Sequence, residues 1–367
     1  MNYQSDPRIV LTLDAGGTNF VFSALQGYRQ IVKPIRKAAV PDDVGQCLKQ
    51  IEEGFLDVSR HLAAPPVAIS FAFPGPADYE HGVIGDLPNL KAFRGGVPLG
   101  PWLRQRFGMP VYINNDGNLF AYGEAIAGIL PEVNAELQKR QPHRRYRHLL
   151  GITLGTGFGA GVVVDGHLLT GDNGCGGDVW LMRNARHPHL IAEESVSIRA
   201  VCRVYQERSG TRDTTLTPRD ICAIADGTRP GNPQAAQESF RQLGQACGEA
   251  IATALDIVDG IVVIGGGLTG ASRHIMPAVM KALRGSLATL DGTRLPILQS
   301  HVYNWDNPAE RQAFLSVGTR QIAVPGTALT APYAEQKALC VATSTSGAST
   351  SIMRGAYAYA LSQLDSR

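Results

Sequence analysis

Four short stretches of this sequence combine residue types that can do chemistry. Asp14-Ala15-Gly16-Gly17-Thr18-Asn19 follows a β-rich run. Its adjacent glycines leave backbone N–H groups open to a phosphate, and the Thr18 hydroxyl adds a donor. Asp14 beside phosphates is unfavourable unless Mg²⁺ or its water shell lies between them. A plain hairpin turn is the alternative. No Gly-Lys-Ser/Thr follows, so this is not a Walker A loop. Gly155-Thr156-Gly157-Phe158-Gly159 has the same physics and the same alternative, a tight turn. Ile264-Gly265-Gly266-Gly267-Leu268-Thr269-Gly270 fits GxGxxG after a strand. A dinucleotide site would need an acidic strand end about 20 positions on, and none is evident. A Gly-rich wall against which an adenosine lies flat fits better. Asn115-Asp116-Gly117-Asn118 places a carboxylate between a strand and a helix, as a general base or as an N-cap.

These stretches need elements to hold them. Arg8–Leu13 and Phe20–Leu25 read as strands of a hairpin around the first stretch. Val44 to His61 has apolar residues at helical period, and Val67–Phe73 reads as a buried strand stopped by Pro74-Gly75-Pro76. Val111–Ile113 is a strand leading to Asp116, followed by a helix over Leu119–Leu130. A second hairpin is expected over 149–164, so the chain looks like one plan used twice. Residues 238–258 read as a helix, Ile261–Ile264 as a strand, and Leu283–Leu290 as helical. The Ser/Thr-rich stretch 340–351 reads as a loop before a last helix over Met353–Leu364. Pro131 to His148, basic through Lys139, Arg140, Arg144, Arg145 and Arg147, reads as a solvated connection rather than an anion patch.

Composition bounds the rest. The chain has 367 residues, 44% hydrophobic and 18% charged, with a formal net charge of +2. That suits a globular chain of about two domains and gives no reason to expect nucleic-acid or membrane-surface partners. No apolar run approaches a transmembrane span, and no secretory signal is visible at the start. The six cysteines, at 47, 175, 202, 222, 247 and 340, form no CxC or CxxC pair. No structural zinc is therefore expected, and reduced thiols in a cytoplasmic protein are.

The motifs in order carry a resemblance. Asp14–Thr18, Pro74–Pro76, Leu87–Asn89, Asn115–Glu124, Leu154–Gly159 and Ile264–Gly267 are similar to the corresponding motifs of the ROK family of sugar kinases and repressors. That family belongs to the actin-like ATPase superfamily. The resemblance implies an α/β, two-lobed actin-like ATPase (ribonuclease H-like) fold with its active site in the inter-lobe cleft. The expected lobes are 1–122, with helix 352–367 packed back on it, and 123–351 with the nucleotide-binding elements.

The resemblance also implies roles. Asp116 aligns with the base that takes a proton from a sugar hydroxyl, and an ordinary carboxylate pKa would leave it ionised at neutral pH. Asn89, Asn115, Asp178 and Glu193 would contact the sugar, with Glu194 the alternative register for Glu193. Asp14, Gly16, Gly17, Thr18, Asn19, Thr156 and Gly157 would surround the phosphates, with Mg²⁺ near Asp14. Gly265, Gly266, Gly267 and Leu268 would face the adenosine. The implied activity is an ATP- and Mg²⁺-dependent carbohydrate kinase, with a catalytically silent sugar sensor as the alternative. Family repressors carry a winged-helix domain before the first motif. Only 13 residues precede Asp14, so no such domain is expected. Relatives often dimerise, which makes a homodimer an expectation. There are departures. Gly177-Asp178-Val179-Trp180-Leu181 stands where family kinases have Gly-Glu-Ile-Gly-His and then a zinc-binding cysteine cluster. Asn19 stands where many members have Lys. A shortened carboxylate and an apolar Leu181 imply a sugar pocket unlike that of an ordinary glucokinase.

Overall fold

The computed structural model describes residues 3–15, 19–38, 40, 42–75, 77–85 and 93–366. Gly16, Gly17, Thr18 and Asn89 lie outside the described residues, as do Pro76, Leu87 and Pro88. The chain divides into two compact units. One comprises Met1–Gly128, Gly161–Gly177 and Ser346–Arg367, and the other Ile129–Ala160 and Asp178–Thr345.

In the first unit, strands Val10–Ala15 and Asn19–Gln26 pair antiparallel, with Val10 opposite Leu25 and Ala15 opposite Phe20. Their alternation puts Leu11, Leu13, Phe20 and Phe22 into one core with Phe55, Phe71 and Phe73. Phe55 comes from helix Val44–Ser59, which Asp43 caps by accepting the Gln46 N–H. Strands Ala68–Ala72 and Val111–Asn114 join the sheet in parallel. Asp14 stands opposite Ala72, and Ala72 opposite Asn114, so the carboxyl ends of these strands are level.

The other face of this sheet carries two crossing helices, Asp116–Ala127 and Ala348–Asp365. They meet backbone to backbone. A Cβ on Gly123 would stand 1.9 Å from the Ser351 carbonyl oxygen, and one on Gly355 1.9 Å from that of Leu119. Ser351 also donates to the fully buried Glu124 at 2.6 Å. The C-terminal helix therefore fixes the helix whose first residue is Asp116.

In the second unit, strands Leu149–Leu154, Ile261–Gly265, Ala338–Thr343 and His301–Asn304 lie side by side in that order, parallel to one another. Strand Phe158–Val164 flanks Leu149–Leu154 and runs on into the first unit. Gly265 is opposite Thr153, so the two Gly-rich stretches leave the same edge of this sheet. Helices Pro233–Val258 and Ser272–Leu283 pack against each other in this unit.

Several local expectations are corrected. Helix Ile129–Gln138 occupies part of the supposed connection. Pro131 falls in its first turn, where the missing N–H costs nothing. Beyond the helix, Arg144 donates to the carbonyls of Phe314 and Val317, at 3.1 and 2.7 Å, and lies over the Phe314 ring. The basic stretch is thus pinned rather than merely solvated. Residues 286–288 form a strand paired with Arg294–Pro296, not a helix, because helix Ser272–Leu283 has already ended. The supposed loop from 340 begins inside strand Ala338–Thr343, whose apolar residues are buried, and the last helix starts at Ala348.

Candidate active site

Asp116 opens helix Asp116–Ala127 directly after strand Val111–Asn114. The N-cap is its neighbour Asn115, whose Oδ1 accepts the Gly117 N–H at 2.7 Å. Asp116 Oδ1 accepts the same N–H at 2.8 Å. The two readings of this stretch therefore divide between two residues: Asn115 caps, and Asp116 is left with open surface. Behind them, Asn114 Oδ1 accepts from the Asn115 N–H at 2.8 Å and from Asn118 Nδ2 at 3.0 Å. Asn114 and Asn118 are buried, so this asparagine frame holds the strand-to-helix junction from inside.

The electrostatics of Asp116 differ from the expectation. Desolvation by its surroundings raises its carboxyl above the ordinary carboxylate value, and the Asp14 carboxylate adds to the rise. The N–H groups of Gly117 and of Asp116 itself oppose it. The open surface of Asp116 keeps water within reach, which limits the rise. Asp14 ends the neighbouring hairpin strand at the same edge. Asn19 begins the returning strand and is exposed.

In the second unit, Gly155, Thr156 and Gly157 reverse the chain between two strands. The turn is held from outside the sheet. The Gly155 carbonyl accepts the Ile198 N–H at 2.9 Å, and Glu193 Oε2 accepts the Phe158 N–H at 3.0 Å. A Cβ on Gly157 would stand 2.6 Å from Glu193 Oε2, so only glycine lets the carboxylate reach the turn without displacement. Glu193 Oε1 is also paired with Arg199 at 2.9 Å, and Arg199 with Glu194 at 2.7 Å. Of the two glutamates, Glu193 is the one that reaches the turn. The family resemblance implies a sugar contact for it; nothing in the spacing of 158 and 193 signals this bond. Thr156 is exposed, and the N–H groups of Thr156 and Gly157 make no hydrogen bond among the described residues. Two unbonded donors beside a braced glycine can receive phosphate oxygens.

Gly265 to Leu268 stand next to this turn. Gly266 packs under Leu154, where a Cβ would come within 2.3 Å of the Leu154 carbonyl oxygen. Leu268 is buried within a short 3-10 helix, Gly267–Ala271, and anchors it. Leu268 is therefore turned inward, Gly265 is buried with it, and the exposed residues of the stretch are Gly267 and Gly270.

Asp178 is exposed; desolvation raises its carboxyl, and a hydrogen bond from the Trp180 side chain opposes the rise. Leu181, in the 3-10 turn Val179–Leu181, is 53% exposed. The fold also gathers a group that no local spacing announces. Cys222, Asp226 and His274 bring potential ligand atoms within 4.8 Å of one another. Arg273 Nη2 lies 3.3 Å from Cys222 Sγ and is ion-paired with Asp226, so a positive charge is already supplied there.

Among the described residues, no helix is long and apolar enough to cross a membrane. Residues 10–301 match the ROK family. A crystal structure of a glucokinase from Parabacteroides distasonis is similar over 99% of both chains, with 51% identity and a TM-score of 0.89. A ROK hexokinase structure from Thermus thermophilus covers 97% of this chain and 99% of its own, at 20% identity and a TM-score of 0.67, and shares the fold. Among sequences, a glucokinase from Thermotoga maritima is 33% identical over 171 residues, 46% of this chain and 49% of its own. The match thus spans about half the length of that relative.

Proposed function

Because the chain belongs to the ROK family, with its actin-like ATPase fold, we propose that it transfers the γ-phosphate of ATP to a hydroxyl of a hexose or hexose derivative. Likeness to a glucokinase at 51% identity over nearly the whole chain supports this reading. The observation that carries it is Asp116. It is an open carboxylate at the carboxyl edge of three parallel strands, set by Asn115 and the asparagines behind it, with Asp14 at the same edge. Ligands of such sheets bind outside the carboxyl ends of the strands.

Phosphoryl transfer needs positioning, charge neutralisation and a base near the hydroxyl. Asp116 accepts the hydroxyl proton, and Asn115 orients that carboxylate's backbone. The Thr156 and Gly157 N–H groups receive phosphate oxygens, and Glu193 holds their turn in place. Asp14 suits Mg²⁺: it is a hard oxygen donor, and its charge already bears on Asp116, a repulsion that a divalent cation relieves. Mg²⁺ bound there with ATP would neutralise phosphate charge. The reading includes a cytoplasmic, zinc-free enzyme whose partners are small molecules, with Asp178 on the sugar side and the apolar Leu181 favouring a deoxy, acylated or epimeric sugar over glucose.

An ATP-consumption assay across a hexose panel tests this. Turnover on at least one sugar, abolished by omitting Mg²⁺, is the expected result. ATP consumption that no sugar stimulates would leave a sugar-binding protein without the transfer step.

A further inference from the structure

Arg273 is held more firmly than an exposed arginine usually is. Its Nε donates to Asp226 Oδ1 at 2.9 Å, and its Nη2 bonds Asp226 Oδ2. Nη2 also lies 3.3 Å from Cys222 Sγ. Nη1 donates to the Gly270 carbonyl oxygen at 3.1 Å. Asp226 is itself fixed from a second side by His274 Nε2 at 2.8 Å. The Asp226 carboxyl is held far below its ordinary range, first by Arg273 and then by His274. Yet the Arg273 side chain is 55% exposed. Exposed ion pairs contribute little to stability, so stability does not explain why so much is spent on orienting this one.

Its position suggests what the orientation serves. Gly270 closes the segment Gly265–Gly270, the Gly-rich wall beside the braced turn. A Cβ on Gly267 or on Gly270 would meet nothing within 4 Å, so the wall is open above both residues. The guanidinium stands at the rim of that opening through its bond to Gly270. Most of its edge donors are committed to Asp226, Cys222 and Gly270, which leaves the planar faces.

We propose that Arg273 is the platform on which the purine base of the nucleotide stacks, with Asp226 as the positioning residue that sets its plane. A guanidinium held flat offers a cation–π and stacking surface to an aromatic base, and it does so for any purine because every base has a π-face. This rests on the kinase reading, since only a nucleotide brought to Gly265–Leu268 reaches the rim.

The test is isothermal titration of the whole protein with ADP, GDP and inorganic tripolyphosphate, for the wild type, Arg273→Ala and Arg273→Lys. Loss of stacking in Arg273→Ala weakens ADP and GDP by roughly fivefold or more, and leaves tripolyphosphate within twofold. Arg273→Lys keeps the charge without the plane, so it stays close to the alanine variant. Asp226→Asn weakens ADP by a smaller factor in the same pattern. Equal loss of ADP and tripolyphosphate would mean that Arg273 acts on phosphates or on the fold, and would overturn the proposal. So would full recovery by lysine, or ADP affinity that survives Arg273→Ala. A wild-type protein that binds neither ADP nor GDP overturns the kinase reading itself, and this proposal with it.

Discussion

The carboxyl edges of the sheets in the two units are built from different materials. The edge of the first unit is anionic. Asp14 and Asp116 stand there, and the charge of one bears on the other. The edge of the second unit is built from backbone. Gly155–Gly157 and Gly265–Gly267 lie side by side, and the nearby carboxylate, Glu193, is turned toward a backbone N–H and neutralised by Arg199. Under the proposed kinase reading this contrast is a division of labour. A base must be ionisable and reachable, which suits a side chain with open surface. A phosphate cradle must be fixed and uncharged, which suits main chain with side chains as braces behind it.

The largest effect should come from removing the base. Asp116→Asn is expected to lower turnover by roughly 10²–10⁴, while the helix start survives because Asn115 caps it. The sign of the stability change follows from the raised carboxyl. A folded-state pKa above the unfolded value means that the ionised group opposes folding at neutral pH, so the variant should melt at the same temperature or higher. Calorimetry beside a steady-state assay checks both. A large drop in melting temperature would return Asp116 to a structural role.

Backbone contact in the first unit gives the next effect. Gly355→Ala forces a Cβ against the Leu119 carbonyl and should cost about 1–3 kcal/mol, the usual range for overpacking. Gly270→Ala in the second unit, where the new Cβ meets nothing, should stay within about 0.5 kcal/mol. Denaturant melts of the two variants compare them directly, and equal losses would contradict the described packing.

The brace is probed by Gly157→Ala, whose Cβ displaces Glu193. KM for ATP should rise on the order of tenfold, as expected when a cradle moves by a fraction of an ångström, with KM for the sugar nearly constant. A rise confined to the sugar would instead put Glu193 on the sugar, as family resemblance alone suggested.

The smallest effect is in the pH profile. The base works only when ionised, so activity should fall as pH drops through the Asp116 pKa, at a midpoint above the ordinary aspartate value of about 3.9. Asp14→Asn removes a charge that raises this pKa, so the acid limb of the Asp116 titration, followed in the metal-free protein, should move to lower pH. An unmoved or upward-shifted limb would uncouple the two carboxylates.

Much of this site was legible in one dimension because its signals are local. Glycine pairs at strand ends, an Asn-Asp step before a helix and alternating Phe residues each report their own conformation within a few positions. The hairpin over 8–25 and the strands before Asp116 and Gly265 follow from that. Local signals run out elsewhere. The stretch from Pro131 reads as a connection, although helix Ile129–Gln138 occupies its start. The serines and threonines after 340 hid a strand that is buried only because Ile261–Gly265 and His301–Asn304 lie on either side of it.

Residue order sets the kinds of side chain available and the succession in which strands, turns and helices present them. It offers Asp116 two roles, base and cap, without separating them. Tertiary structure makes Asn115 the N-cap, with Asp116 Oδ1 on the same Gly117 N–H. It also decided what no spacing encodes: that Glu193 braces a turn 35 residues away, and that Arg273 is clamped by Asp226, 47 residues before it. The reason is physical. Local propensity depends on a residue's neighbours in sequence, whereas burial, charge pairing and close backbone approach depend on neighbours in space, and those exist only once the sheets have formed.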